Sequence, residues 1–278
     1  MIISLCNEVL CELDFAAQCA LAKDLGYDGL EIAPFTLAAE PDRLPAGRRT
    51  ELRKTAEGHG VAITGLHYLL LAPDGLSITS PDGAVRARTI EVMRALIELC
   101  ADLGGKVLVH GSPRQRTIAP GQRRDDALGY AKECFAMIAS DAEQAGVTYC
   151  IEPLAPPEAE LINTVEEAAA IVDEIDRPAV RTMIDTCAAG RSERSPIPAL
   201  IECWLRSGHV AHIHLNDPNR RAPGQGDLRF GPILAALEAH RYAGISSVEP
   251  FVYQPDGPTC AARAIGYVRG LREKMTAH

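Results

Sequence analysis

The sequence has no Cys-x-x-Cys pair: its nine cysteines (6, 11, 19, 100, 134, 150, 187, 203 and 260) are odd in number and scattered. That argues against a disulfide framework and against a structural zinc site, and points to a reducing, cytoplasmic compartment. It also lacks an excess of basic residues, since Lys+Arg 28 against Asp+Glu 37 leaves a formal net charge of −9 at pH 7. Such a balance offers no general attraction for phosphate backbones or anionic lipid, so neither nucleic acid nor a membrane is an expected partner. A long apolar run is missing as well. The longest, from Val61 to Ala72, is interrupted by Thr64, Gly65 and His67 and is too short to cross a bilayer. The opening residues Met1 to Glu8 have neither a basic start nor a long apolar stretch, and read as a first strand rather than a signal peptide. What is present is ordinary globular material, 47% hydrophobic and 23% charged in 278 residues, enough for one sizeable core.

Short β-rich runs at 2–5, 29–33, 62–66, 106–110, 147–152, 180–185, 210–215 and 245–249 alternate with longer segments of helical periodicity. Eight such rounds predict a single (β/α)8 TIM barrel over residues 1–278, with no stretch that reads as a linker. Asp14 is placed to cap the first helix and Gly26 to end it in the left-handed conformation. Similar stops, Gly60, Gly104-Gly105, Gly146 and Gly244, precede later strands, and the Pro-rich segments at 155–157 and 195–198 fit within βα loops. The rival, a doubly wound open sheet, usually carries a Gly-rich phosphate turn after its first strand. Here Cys6-Asn7-Glu8-Val9 stands in that place, and Gly224-Gln225-Gly226 lies in a late loop and opens no helix after a strand.

A barrel of this kind places its chemistry at the C-terminal ends of its strands. Four consecutive predicted strands, the fifth to the eighth, break into polar character at Glu152, Asp185, His214 and Glu249. Their spacings of 33, 29 and 35 residues each approximate one βα unit, so the four side chains converge on one half of the mouth. Any one of them alone would read as an ordinary hydrogen-bonded barrel residue. Together, three carboxylates and an imidazole facing inward would repel and desolvate one another unless a cation lay between them. The set suits Mn²⁺, Mg²⁺, Co²⁺ or Zn²⁺. His212 shares the face of His214; His214, nearer the mouth, is the preferred ligand, and His212 is expected to be buried and hydrogen-bonded one layer down. His59 and His240 fall at helix C-terminal ends, while His209 and His278 read as surface positions. His67 after the third strand and His110, followed by Arg114 and Arg116, after the fourth are candidate substrate-binding groups because they border loops at the same end. Arg220 and Arg221 are the other loop arginines able to meet a phosphate.

The segments Cys150-Ile151-Glu152-Pro153-Leu154, Met183-Ile184-Asp185-Thr186, Ala211-His212-Ile213-His214-Leu215-Asn216-Asp217, Pro223-Gly224-Gln225-Gly226-Asp227 and Val248-Glu249-Pro250-Phe251 carry a resemblance. They resemble the xylose-isomerase-like sugar isomerase/epimerase superfamily, and within it the tagatose/psicose 3-epimerase and hydroxypyruvate isomerase branch. The likeness covers nearly the whole chain, with its specific motifs in the second half. It implies one divalent ion, Mn²⁺ foremost, held by Glu152, Asp185, His214 and Glu249, with the two glutamates acting as acid and base on opposite faces of a bound sugar. It further implies that Glu158 and Arg220 contact the substrate and that the partner is a small sugar or sugar derivative; the oligomeric state is open, a homodimer being common for barrels of this kind. One motif departs: where the epimerases carry Asp-x-x-His, this chain reads Asp185-Thr186-Cys187-Ala188.

The expected activity is metal-dependent isomerisation or epimerisation, a proton moving next to a carbonyl through an enediolate that the ion stabilises. Which of the two occurs depends on Ångström-scale placement of the substrate. The missing histidine opens an alternative, a lyase or dehydratase acting on a 3-oxo-sugar or inosose, and a sugar-binding barrel without turnover is the non-enzymatic rival. Phosphodiester cleavage as in apurinic endonucleases is disfavoured. Leu215-Asn216-Asp217 is similar to one of their phrases, but Ala188 and Asp227-Leu228-Arg229 lack the ligands of a multi-metal site.

Overall fold

The computed structural model describes residues 1–276, so His278 lies outside the described residues. Eight strands, β1 (Ile2–Cys6), β2 (Gly29–Ile32), β3 (Ala62–Leu66), β4 (Val107–His110), β5 (Thr148–Ile151), β6 (Val180–Asp185), β7 (Val210–Leu215) and β8 (Ile245–Val248), pair in parallel in chain order. β8 returns to β1, with Ile2 opposite Ile245 and Leu5 opposite Val248, and closes the barrel. Every strand lies within one residue of its predicted bounds at each end. The helices are α1 (Phe15–Leu25), α2 (Ala46–His59), α3 (Gly83–Leu103), α4 (Arg124–Ala145), α5 (Val165–Ile175), α6 (Thr186–Ser192), α7 (Ile197–Arg206), α8 (Phe230–Ala239) and α9 (Gly257–Thr276). Among the described residues no helix is long and apolar enough to cross a membrane.

The strands are runs of β-branched and aliphatic residues without alternation because helices cover their outer face and the lumen their inner one. Val107, Val109, Cys150 and Met183 form a small inner cluster, while Leu108, Tyr149, Ile151 and Ile184 join the larger core beneath the helices. Local signals set the helix ends. Asp14 Oδ1 accepts the Ala17 N–H at 2.9 Å, and Gly26, with φ 91, ends α1 in the left-handed region. The turn before β8 differs from expectation. There Arg241 (φ 51) is the left-handed residue, and Gly244 is small because the Tyr242 ring leaves no room, a Cβ meeting Tyr242 Cζ at 2.6 Å. Pro196 and Pro198 also lie elsewhere than expected: Pro196 caps α7 and Pro198 sits in its first turn, where a missing N–H costs nothing. His209 lies at the surface as expected, half-buried and held 2.8 Å from Asp173 Oδ1 and 2.7 Å from Ser207 Oγ.

Gly65 shows how closely β3 and β4 approach, since a Cβ there would overlap the Val107 carbonyl oxygen and its side chain. A Gly65→Ala substitution is therefore expected to cost about 1–3 kcal/mol through overpacking. Gly129→Ala, on an exposed face of α4 with nothing near its Cβ, is expected to gain up to about 1 kcal/mol in helix propensity. Urea denaturation of the two variants checks this; equal shifts would contradict the steric argument.

Candidate functional site

Glu152 follows β5 directly, Asp185 ends β6, His214 lies near the end of β7, and Glu249 follows β8. Each offers one ligand atom, and these atoms all lie within 4.8 Å of one another, every residue buried. His214 Nδ1 is 2.9 Å from Glu249 Oε2 and 3.9 Å from Glu152 Oε1. Burial first, and then the neighbouring Glu249 carboxylate, push the Asp185 carboxyl up to about 7 and the Glu152 carboxyl well above the ordinary range. Buried Asp185 Oδ2 has no hydrogen-bond partner, and His214 Nδ1, although 2.9 Å from Glu249 Oε2, does not meet it in hydrogen-bond geometry. A divalent cation among the four residues would satisfy both atoms and offset the mutual repulsion, so the donor set fits such an ion. One imidazole nitrogen with three carboxylates matches Mn²⁺, Mg²⁺, Co²⁺ or Zn²⁺.

Each residue of the cluster is aimed by a specific partner. Asp185 is also the N-cap of α6, where Oδ1 accepts the Ala188 N–H at 2.6 Å, leaving Oδ2 to face the cluster. Glu152 is seated against Gly111, where any Cβ would overlap its carboxylate. Its carbonyl accepts Arg116 Nη1 at 2.8 Å, while Arg116 Nη2 donates to the His110 carbonyl at 2.6 Å. Asn216 joins three strand ends: Oδ1 accepts the Cys187 N–H at 2.8 Å, Nδ2 donates to the Glu249 carbonyl at 2.9 Å, and its backbone N–H donates to Thr186 Oγ1.

His214 Nε2 donates to Glu31 Oε1 at 3.0 Å, which fixes the ring so that Nδ1 faces the carboxylates. Glu31, on β2, is completely buried; it also accepts the Ser247 hydroxyl and lies 2.9 Å from His212 Nε2. Burial alone would raise its carboxyl, but His212 and His214 outweigh it and hold Glu31 well below the usual range. Burial lowers His214 and is outweighed by Glu249 and Glu31, which raise it well above 6.5, whereas burial keeps His212 below. His212 thus occupies the deeper layer expected of it. Glu31 escaped sequence reasoning, though a carboxylate between Leu30 and Ile32 in an apolar strand was a legible signal.

His67 reaches the mouth but is fully buried, with Nε2 2.8 Å from Glu8 Oε2 and Nδ1 3.8 Å from Glu31 Oε1. It therefore holds Glu8, a second residue missed from sequence, rather than facing the opening. His110 does not join the cluster. It occupies the outward face of β4, 2.7 Å from the Tyr149 hydroxyl and edge-on to the Phe135 ring, and burial keeps it neutral. Above the four ligands lies a cavity of ≈ 340 Å³ whose lining includes Tyr68, Arg114, Glu152, Glu158, Arg220 and Glu249. Glu158 pairs with Arg191 at 2.6 Å and lies 3.6 Å from Arg220, whose guanidinium stands 4.9 Å over the Phe251 ring. Tyr68 (φ 54) and Arg220 (φ 68) are held in the left-handed region, strain that recurs at binding sites. Of the four loop arginines, Arg114 and Arg220 line the cavity; Arg116 is buried, and Arg221 is bound instead to Gln254.

Residues 19–271 match the xylose isomerase-like TIM barrel family. Over 243 residues the chain is 30% identical to the D-psicose 3-epimerase of Ruminiclostridium cellulolyticum, covering 87% of this chain and 80% of that protein. The crystal structure of D-psicose 3-epimerase with D-tagatose from Clostridium cellulolyticum shares the fold at TM-score 0.83 and 22% identity, over 98% of this chain and 99% of that one. So does the 3-keto-D-glucoside 4-epimerase from E. coli, at TM-score 0.83 and 20% identity, over 97% and 99%.

Two outcomes follow from the charge arrangement. Asp185 has a folded-state value near 7 against 3.8 for the free group, so the protonated form favours folding and that contribution is lost as pH rises through about 7. The Tm of chelator-treated protein is expected to fall between about pH 4 and pH 7 and to level off above that, and Mn²⁺ should remove most of that slope; identical profiles with and without Mn²⁺ would refute a cation at these residues. Glu31→Ala strips two buried histidines of their partner and is expected to destabilise the fold by about 3–5 kcal/mol in chemical denaturation.

Proposed function

The chain belongs to the xylose isomerase-like TIM barrel family, and from that premise we propose a divalent-metal-dependent epimerase or isomerase acting on a ketose or ketose derivative. Its relatives are named as sugar epimerases, which makes it an enzyme of the sugar isomerase/epimerase type. The observation that carries the finer reading is the convergence of Glu152, Asp185, His214 and Glu249 within 4.8 Å of one another, with Asp185 Oδ2 left without a hydrogen-bond partner, beside a cavity that Glu152 and Glu249 line. These four residues would hold the ion, Mn²⁺ foremost. When bound, it supplies polarisation of the substrate carbonyl, which acidifies the neighbouring C–H.

The remaining work falls to side chains. Glu152 and Glu249 extend from β5 and β8, with Asp185 and His214 on the strands between them, so the two glutamates bracket the floor. One removes the proton next to the carbonyl as general base, and the other delivers a proton as general acid. Delivery to the opposite face of the same carbon gives an epimer; delivery to the adjacent carbon gives an isomer. Tyr68 and Phe251 wall the cavity against water, and Glu158 with Arg220 offers an acceptor and donors to sugar hydroxyls.

A second reading is favoured by Ala188, which contributes no polar atom where the epimerases have histidine. It is a dehydratase on a 3-oxo-sugar, in which the same carbanion expels a hydroxyl at the next carbon. Incubation of Mn²⁺-loaded protein with ketoses in D₂O separates the readings. Deuterium at the carbon beside the carbonyl, with the sugar otherwise of unchanged mass, is the expected result, and Glu249→Gln should slow the exchange by about 10²–10⁴-fold. Loss of water from a 3-oxo-sugar would select the dehydratase, and binding without exchange would select a sugar-binding barrel.

A further inference from the structure

We propose that the mouth of the barrel takes a second divalent cation, of the Zn²⁺ or Co²⁺ class, on its β1, β3 and β8 side, with Cys6, Glu8, His67 and Glu249 as ligands. The inference is separate from the sugar chemistry above and shares only Glu249 with the first cluster.

Glu152, Asp185, His214 and Glu249 take up the half of the mouth formed by β5 to β8. Cys6 ends β1, Glu8 lies in the 3-10 turn Asn7–Leu10 that follows it, and His67 comes directly after β3. Closure of the barrel sets β8, and with it Glu249, beside β1. Cys6, Glu8, His67 and Glu249 each offer one ligand atom, and these atoms all lie within 4.8 Å of one another. Cys6 and His67 are completely buried.

Contacts within the chain leave this set unsatisfied. His67 Nε2 lies 2.8 Å from Glu8 Oε2, which accounts for one carboxylate oxygen. The other, Glu8 Oε1, is buried without a hydrogen-bond partner, as is His67 Nδ1. The Cys6 thiol makes no hydrogen bond among the described residues. Burial, reinforced by the carboxylates of Glu31, Glu8 and Glu249, holds it protonated well above its ordinary range. A cation against the sulfur reverses that balance and releases the proton to solvent. An ion at the first cluster does not serve here, because it meets three carboxylates with two positive charges and has none to spare for Glu8.

Glu31 supplies a second, independent argument. Its Oε1 accepts His214 Nε2 at 3.0 Å and faces His67 Nδ1 at 3.8 Å, the two rings standing 6.0 Å apart at 88°. Each imidazole turns one nitrogen toward that oxygen and the other toward a carboxylate of the mouth, His214 Nδ1 toward Glu249 and His67 Nε2 toward Glu8. A carboxylate behind an imidazole is the arrangement that orients a metal-bound histidine. Here one carboxylate backs two of them.

Glu8 is also held in place. Asn7 Oδ1 accepts the Ala33 N–H at 2.8 Å, and Asn7 Nδ2 donates to Gln18 Oε1 at 3.1 Å and to Thr36 Oγ1 at 2.9 Å. These bonds tie the turn to α1 and to the segment after β2, so little ordering remains when Glu8 meets an ion. A thiolate beside an imidazole and carboxylates selects a softer ion than Mn²⁺, which is why Zn²⁺ or Co²⁺ is the class expected.

The test titrates chelator-treated, full-length protein with Co²⁺, read by equilibrium dialysis and by absorption. The expected result is a second bound equivalent together with a near-ultraviolet sulfur-to-cobalt charge-transfer band. Cys6→Ser should abolish the band and the second equivalent and keep the first. Asp185→Ala should do the reverse, losing the first equivalent and keeping the band. Glu8→Gln should weaken the band-forming ion at least tenfold, and it reads the same loss where Cys6→Ser fails to fold. Saturation at one equivalent without the band would reduce the set to an ion pair of Glu8 with His67, and a band surviving in Cys6→Ser would place the ion on another cysteine; either overturns the proposal. No turnover enters the readout, so failure of the epimerase reading leaves the outcome decisive.

Discussion

Three carboxylates and an imidazole buried within 4.8 Å of one another cannot share a low-dielectric floor without help, and much of the surrounding structure is arranged around that conflict. Part of the help is covalent geometry. Asp185 spends one oxygen capping α6, so only the other competes for space with its neighbours. Gly111 removes a side chain from the position the Glu152 carboxylate needs. Asn216 satisfies backbone groups on both flanking strands and so fixes the separation of Asp185 from Glu249. None of these contacts neutralises charge, and that is why Asp185 and Glu152 are left with raised affinities for protons and why a divalent cation is the natural counterpart.

Beneath the floor runs a second, self-compensated layer. Glu31 accepts from His214 and Ser247 and lies against His212, so its charge is matched within the barrel and not by the floor. This layer decides which nitrogen of His214 points up. With Nε2 committed to Glu31, Nδ1 is the atom presented to the carboxylates, and the ring cannot turn without breaking a buried charged hydrogen bond. His67 and Glu8 repeat the arrangement at the edge of the mouth, another imidazole with a carboxylate of its own. The chemistry of the floor is thus insulated from the lumen by residues outside the cluster of four.

The barrel was legible because its strands are continuous apolar runs of regular spacing, and the four clustered residues because each ends such a run. His110 ends a run too, yet it faces the helices, and strand parity explains the difference. Val107 and Val109 point into the lumen, so His110 points out; Cys150, Met183, His212 and Ser247 point in, so Glu152, Asp185, His214 and Glu249, two residues on, do the same. Position along the chain alone could not separate these cases. Glu31 was hidden for the opposite reason, as it lies within a strand and not at its end. Arg116 was misleading because a loop arginine is expected in solvent, and only the fold reveals two buried carbonyls in need of donors.

The same parity argument bears on what the cavity can recognise. Residues held by strands are fixed in number and direction by the barrel, so the floor has little freedom beyond the four ligands and the layer under them. Recognition of the rest of the substrate must come from loops and short helices above, where side chains can differ without disturbing the closure of the sheet. In this chain that upper tier is unusual in two linked ways: Ala188 offers no polar atom, and the neighbouring cations Arg191 and Arg220 share one carboxylate, Glu158. With Arg114 free on the facing loop, the upper tier as a whole is cationic above an acidic floor. On the epimerase reading proposed above, a sugar bound there would meet Glu152 and Glu249 at one end and these arginines at the other, so the loops would decide which carbon reaches the glutamates.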